Sequence, residues 1–266
     1  MKAASPKKEK VLVFLLASDA LTSGHGPSWL SYLGPAEQEK AAQFHRRQDA
    51  LTYTTQQALM RCLAAQALGL GARAAAQLRV DRRCLLCSSK NLHGKPRIQG
   101  INFNMSRSYD RAAGALLAPG AQASELELGV DIERNRGSFF AGFDTVALTE
   151  AERDLLTRLA PPQAQQLRLM LWTAKEAVLK ASGHGLALDP QRVALDLGQL
   201  SCPPDTVSAF RGQAKLSLTS EEPRNFYLYW QKEADYMLAL ASSEPVDFFY
   251  YPVHYPGEIA QILSQS

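Results

Sequence analysis

The sequence predicts a mixed α/β (α+β) fold in two halves, roughly residues 11–125 and 126–245. Three observations carry that expectation. Residues 126–133 alternate strictly between apolar and polar, the period of a strand with one buried face. Two long stretches, 35–70 and 163–182, are rich in Ala, Leu and Gln with no internal proline, and read as helices. Strand-like runs follow each of these helices, so the order helix-then-strands occurs twice, although no sequence repeat is visible.

Taken in order, residues 1–10 form a basic tail, and 11–17 an apolar run of seven residues closed by Ser18-Asp19. With lysines before it, that run imitates a short secretory leader, and a buried first strand accounts for it better. The stretch 35–70 is one helix or two, with Gly69 and Gly71 as stop signals. Residues 80–104 are loop-like, punctuated by Asn91, Gly94 and Pro96, and 111–118 read as a strand of small residues ended by Pro119-Gly120. Thr149 and Glu152 have capping-box spacing. Pro161-Pro162 is expected to break that helix before the second long one, which Gly183 ends. Strand-like runs follow at 214–219, 225–230 and 236–241. Residues 246–266 form an extension rich in aromatics (Phe248, Phe249, Tyr250, Tyr251, Tyr255), expected to pack back onto the second half or to cover a partner surface.

Composition narrows the function classes. An apolar fraction of 46% and a charged fraction of 21% are those of an ordinary soluble globular chain. A net charge of +3 argues against nucleic acid as the partner and leaves room for a local basic patch. No stretch has membrane-spanning length, so the expected location is the cytoplasm. Four cysteines make no disulfide scaffold, and the C-x-x-C pair Cys84/Cys87 lacks the second ligand pair that zinc requires.

The chemistry concentrates in two places. Asp131 and Glu133, two residues apart on the period-two strand, leave the same face about 7 Å apart, and they repel each other unless a cation intervenes. In the second helix Leu167, Met170, Leu171, Ala174, Val178 and Ala181 make one apolar stripe. Glu176 projects from the other side, among Leu169, Trp172 and Leu179. A helix apolar on both faces is buried, and a buried carboxylate is paired or binds metal. Lys180, four residues on, is within reach of Glu176. Three acids with no nearby histidine point to Mg²⁺ held by Asp131, Glu133 and Glu176, facing a phosphorylated substrate. Lys40, Lys90, Lys95, Arg107 and Lys180 are the cations available to hold phosphate.

These residues resemble the Sfp-type 4'-phosphopantetheinyl transferases. Gly129-Val130-Asp131-Ile132-Glu133 is similar to that family's G-[IV]-D-[IV]-E strand, and the stretch from Trp172 to Lys180 to its W-[ST]-x-K-E-[AS]-x-x-K helix. Gly94-Lys95-Pro96 and Phe103-Asn104-Met105-Ser106 resemble its G-K-P and F-N-[LI]-S-H-S segments. Pro35, Glu37, Lys40, Phe44 and Asp49 lie where the family has a basic helix. Arg107 departs from the pattern, standing where the family has a histidine that contacts a coenzyme A phosphate. Its guanidinium can bind phosphate but cannot titrate.

The resemblance implies two similar α/β halves related by a pseudo-twofold axis, sufficient as a monomer, with coenzyme A in the cleft between them. Lys40, Lys90, Lys95, Ser106 and Arg107 would line its nucleotide and phosphate end. Asp131, Glu133 and Glu176 would hold Mg²⁺ at the diphosphate, with Asp131 also in contact with coenzyme A. Lys180 would neutralise a phosphate oxygen, and Glu176 would take the proton of the attacking serine. The implied activity is that of a holo-[acyl-carrier-protein] synthase, moving the 4'-phosphopantetheine arm onto a serine of an apo acyl or peptidyl carrier protein and releasing 3',5'-ADP. A non-catalytic binder of coenzyme A or carrier, and a different Mg²⁺-dependent phosphotransferase or phosphohydrolase, are the alternatives.

Overall fold

The leader-like run is a strand because both of its faces are covered. In β1 (Glu9–Ala17), Leu12, Phe14 and Leu16 enter one apolar cluster and Val11, Val13 and Leu15 another. A strand buried on both sides reads as an unbroken hydrophobic stretch instead of an alternation. The structure, a computed structural model, describes residues 8–22, 28–83, 94–121, 125–137, 139–198, 209–218 and 221–266. Cys84, Cys87, Cys202 and Lys90 lie outside the described residues, so the C-x-x-C reading is not addressed by them.

The stretch 35–70 resolves into α1 (Pro35–Ala42) and α2 (Arg47–Ala67), followed by the single turn α3 (Ala72–Ala75). Next come the hairpin of β2 (Phe103–Ser108) and β3 (Arg111–Leu117), then β4 (Leu128–Arg134). Two short helices, α4 (Phe143–Ala147) and α5 (Glu150–Thr157), precede the 21-residue α6 (Pro161–Ala181). Pro161 was expected to lie in a break before this helix. It is instead its first residue, where a missing N–H removes no hydrogen bond. The chain finishes with β5 (Val193–Leu195), β6 (Ala209–Leu216), β7 (Arg224–Glu233), β8 (Tyr236–Ser242), β9 (Val246–Val253) and α7 (Pro256–Ser264).

Two sheets result, in the orders β2-β3-β1-β9 and β4-β8-β7-β6-β5. Both contain the same connectivity: strand, 21-residue helix, then an antiparallel hairpin whose second strand pairs with the first. It runs β1, α2, β2, β3 in one and β4, α6, β7, β8 in the other. The faces turned toward each other share a core of Val11, Val13, Ala113 and Ala115 with Val130, Ile132, Leu238 and Leu240. α2 and α7 cover the outer face of the first sheet, and α6 that of the second. The layers therefore run helix, sheet, sheet, helix. Among the described residues no helix is long and apolar enough to cross a membrane.

The aromatic extension joins the first sheet and also packs on the second half, where Phe248 stacks on Tyr229 with centroids 5.7 Å apart. β9 pairs in parallel with β1 from Glu9↔Val246 to Leu16↔Val253, and Tyr251 stacks on Phe14 with centroids 5.7 Å apart. The physical reason is the edge: without β9, the apolar β1 would expose a row of unpaired backbone groups.

β4 and α6 approach unusually closely. A Cβ built on Gly129 would lie 2.0 Å from the Ala177 carbonyl oxygen and 2.5 Å from the Ala181 nitrogen, both backbone atoms that a side-chain rotation cannot move. The glycine of the strand motif is thus a spacing device that lets the helix lie directly over the acids. Gly129→Ala is expected to destabilise the fold by about 3 kcal/mol or more by overpacking. Urea denaturation would measure this, and a loss under about 1 kcal/mol would contradict the close approach.

Candidate active site

The site is built where the edge strands of the two sheets meet. Alternation along β2 sends Phe103 and Met105 into the core under α2 and turns Asn104, Ser106 and Ser108 toward β4. No backbone ladder joins β2 to β4, and these three side chains take its place. Asn104 Oδ1 accepts from the Val130 N–H at 2.8 Å, satisfying an edge donor that has no strand partner. Ser106 Oγ donates to Asp131 Oδ1 at 2.7 Å. Ser108 Oγ donates to Glu133 Oε2 at 2.8 Å and accepts from the Arg134 N–H at 3.2 Å.

α6 closes the site from the other side. Lys180, within electrostatic reach of Glu176 as its spacing predicts, has its ammonium 2.6 Å from Asp131 Oδ1 and 2.9 Å from Ser106 Oγ. Glu176 keeps a half-buried carboxyl facing the strand acids. Its pKa is pushed up to about 7, first by burial and then by the charge of Asp131, with Lys180 opposing and Glu133 adding to the rise. The Glu133 carboxyl is also raised by burial and by Asp131, against hydrogen bonds from Ser108 and Trp172. The three acids therefore share one electrostatic environment. Among the described residues no three acid, histidine or cysteine side chains close into a preformed ligand cluster. Asp131 Oδ2 is nonetheless buried without a hydrogen-bond partner. A buried orphan oxygen beside two carboxyls that resist ionisation is a deficit of positive charge. One lysine does not cancel it, and a hard, oxygen-seeking cation fits it.

The orientation of Glu176 is set by its neighbour. Lys175 is fully buried on the core side of α6, 2.9 Å from Glu152 Oε2, with its ammonium also donating to the carbonyls of Pro190 and Val193. Glu152 is the capping-box acid of α5, accepting from the Thr149 N–H at 2.8 Å, and its other oxygen accepts from the Leu195 N–H. Adjacent helical residues point about 100° apart, so anchoring Lys175 fixes the helix rotation that aims Glu176 at Asp131.

The cations expected to hold phosphate separate into groups. Lys40 and Arg107 converge, standing over the Tyr53 ring at 5.6 and 5.4 Å from its centroid. Arg107 and Ser106, neighbours on a strand, face opposite ways: Ser106 belongs with the acids, Arg107 with α2. Arg107 and Glu133 meet again on the walls of one cleft of about 330 Å³. Lys95 lies apart from them, donating to the Leu128 carbonyl at 2.7 Å at the far end of β4 from Glu133, with burial pulling its pKa down to about 8. Lys90 lies outside the described residues. Sequence reasoning gave no role to Ser108, Asn104 or Lys175. Period two from Ser106 was the available signal for the first two, and the apolar Leu171, Trp172, Val178 and Leu179 one turn either side were the signal for the burial of Lys175.

Residues 127–241, from the start of the acid strand through α6 to β8, match the sequence model of the 4'-phosphopantetheinyl transferase superfamily. No curated protein matches the chain significantly.

The raised pKa of Glu176 makes a stability prediction. Its ordinary value is 4.5, and its value in the folded chain is about 7. Below pH 4.5 the group is protonated in both folded and unfolded states and has no effect. Between these values the folded chain binds more protons, so stability falls as pH rises, and above 7 the full penalty of about 3 kcal/mol persists. In the presence of a chelator, Glu176→Gln is therefore expected to be more stable than the parent by about that amount at pH 8 and equally stable at pH 4. Equal stability at both pH values in urea titrations would contradict a strained carboxylate.

Proposed function

With residues 127–241 forming a 4'-phosphopantetheinyl transferase superfamily domain, we propose that this chain moves the 4'-phosphopantetheine arm of coenzyme A onto a serine of an apo acyl or peptidyl carrier protein. The observation that carries the reading is the orphan oxygen of Asp131, buried between two carboxyls of raised pKa and beside Lys180. Asp131, Glu133 and Glu176 are the residues that would hold Mg²⁺. When bound, that ion supplies charge neutralisation on the diphosphate.

The chain's own groups account for the rest. Ser106 and Lys180 pin one oxygen of Asp131, which leaves the other free to act as a ligand. Lys180, already positioned there, neutralises charge that builds on a phosphate oxygen. Lys40 and Arg107, drawn together at Tyr53, hold the nucleotide's phosphate end. The carrier serine oxygen attacks the phosphorus next to pantetheine, the bond from that phosphorus to the bridging oxygen breaks, and 3',5'-ADP departs with the electron pair. Glu176 receives the serine proton, and a carboxyl with pKa about 7 is matched to that task near neutral pH.

Intact-mass measurement after incubation with coenzyme A, Mg²⁺ and an apo carrier tests the proposal directly. The parent chain is expected to add the arm to the carrier, and Glu176→Ala to lose transfer while retaining its fold. Near-normal turnover by that variant would refute the assignment. Arg107→His is expected to keep activity, whereas Arg107→Ala is expected to raise KM for coenzyme A about tenfold, the size of one lost charge-assisted hydrogen bond. An unchanged KM would remove Arg107 from the phosphate site.

A further inference from the structure

The cleft beside Glu133 presents a second guanidinium that no motif accounts for. β4 is followed by Asn135, Arg136 and Gly137, and two arginines leave this segment with different fates. Arg134 is fully engaged: its Nε lies 2.6 Å from Asp235 Oδ2, and its plane covers the Tyr109 ring at 4.3 Å. Arg136 is exposed and makes no hydrogen bond or ion pair among the described residues. It lines the cleft together with Arg107, Ser108, Tyr109, Glu133 and Asp49. Arg107 enters from β2 on the α2 side and Arg136 from the end of β4, so the two guanidinium groups reach the cleft from different sheets.

The wall between them is held in place. Tyr109 sits in the left-handed region at φ 53°, a conformation unfavourable for a non-glycine residue. It persists because its carbonyl is tied to α2, accepting from Thr52 Oγ1 and from Gln48 Nε2. Strain of this kind survives only where the surroundings over-determine it, and it collects at ligand clamps. Two carboxylates also face the cleft. Asp49 balances Arg107 electrostatically, and Glu133 belongs to the acid set. Among the described residues Arg136 is then the guanidinium of this cleft left without a partner.

We infer that Arg136 is a further phosphate-binding residue, gripping the nucleotide's phosphate in the same cleft as Arg107. The inference rests on the transfer reading above, because it takes coenzyme A as the occupant of this cleft. A guanidinium fork binds phosphate bidentately and needs no deprotonation, which suits it to an exposed rim where an ammonium would stay hydrated.

Calorimetric titration with 3',5'-ADP in the presence of Mg²⁺ tests this without needing turnover or a carrier. Arg136→Gln is expected to weaken 3',5'-ADP binding about tenfold, Arg136→Lys to recover part of the loss, and the salt dependence of binding to become shallower in the Gln variant. In steady-state transfer, KM for coenzyme A should rise while KM for the carrier stays constant. Parent-like binding of 3',5'-ADP by Arg136→Gln overturns the inference. That includes the case in which only the carrier KM rises, which would assign Arg136 to the carrier-facing surface. If the parent chain itself fails to bind 3',5'-ADP, the transfer reading falls along with it.

Discussion

Two sheets that share no backbone ladder are stitched at their facing edges by an asparagine and two serines, and the candidate site depends on that stitch. Asn104, Ser106 and Ser108, alternate residues of β2, engage the Val130 N–H and the carboxylates of Asp131 and Glu133, the two acids themselves spaced by the strand repeat. Short side chains are needed because the strands pass closely, and hydroxyls are needed because the groups they meet are carboxylates. The same contacts hold the halves together and choose the orientation of the acids. A change in the seam therefore acts on both stability and chemistry.

The acids are placed where they oppose folding. Burial and mutual repulsion raise the carboxyls of Glu133 and Glu176, and Asp131 keeps one oxygen buried and unpartnered. One lysine offsets part of this charge. Structures tolerate such a deficit when a ligand supplies what is missing, and binding to the folded state alone then adds stability by mass action. The rigid surroundings make the deficit tolerable. α6 is locked by a buried lysine on one side and lies against Gly129 on the other, so the acids cannot relax apart.

α6 serves two roles through alternating sides. Lys175, with Glu152, ties it to the α5 cap and to β5, while Glu176 and Lys180 face β4. That division explains three of the four charged residues on a helix apolar nearly all round, the fourth, Arg168, pairing with Asp144 of α4. One is neutralised in the core, and two face a polar seam.

Much of this was legible in the residues alone. Period two at 126–133 identified the acid strand, the double-sided apolar helix identified Glu176 as a carboxyl drawn partly out of solvent, and the capping box at Thr149 formed as its spacing required. Those features are local, because periodicity and capping are decided within a few residues of chain. The tertiary structure decided what pairs across distance. It paired Lys180 with Asp131, turned Ser106 and Arg107 to opposite sides, sent Lys95 to the far end of β4, and placed the aromatic extension beside β1. A sequence specifies which face a side chain leaves by its own backbone geometry. What waits on that face is set by packing between segments far apart in the chain, which no local pattern encodes.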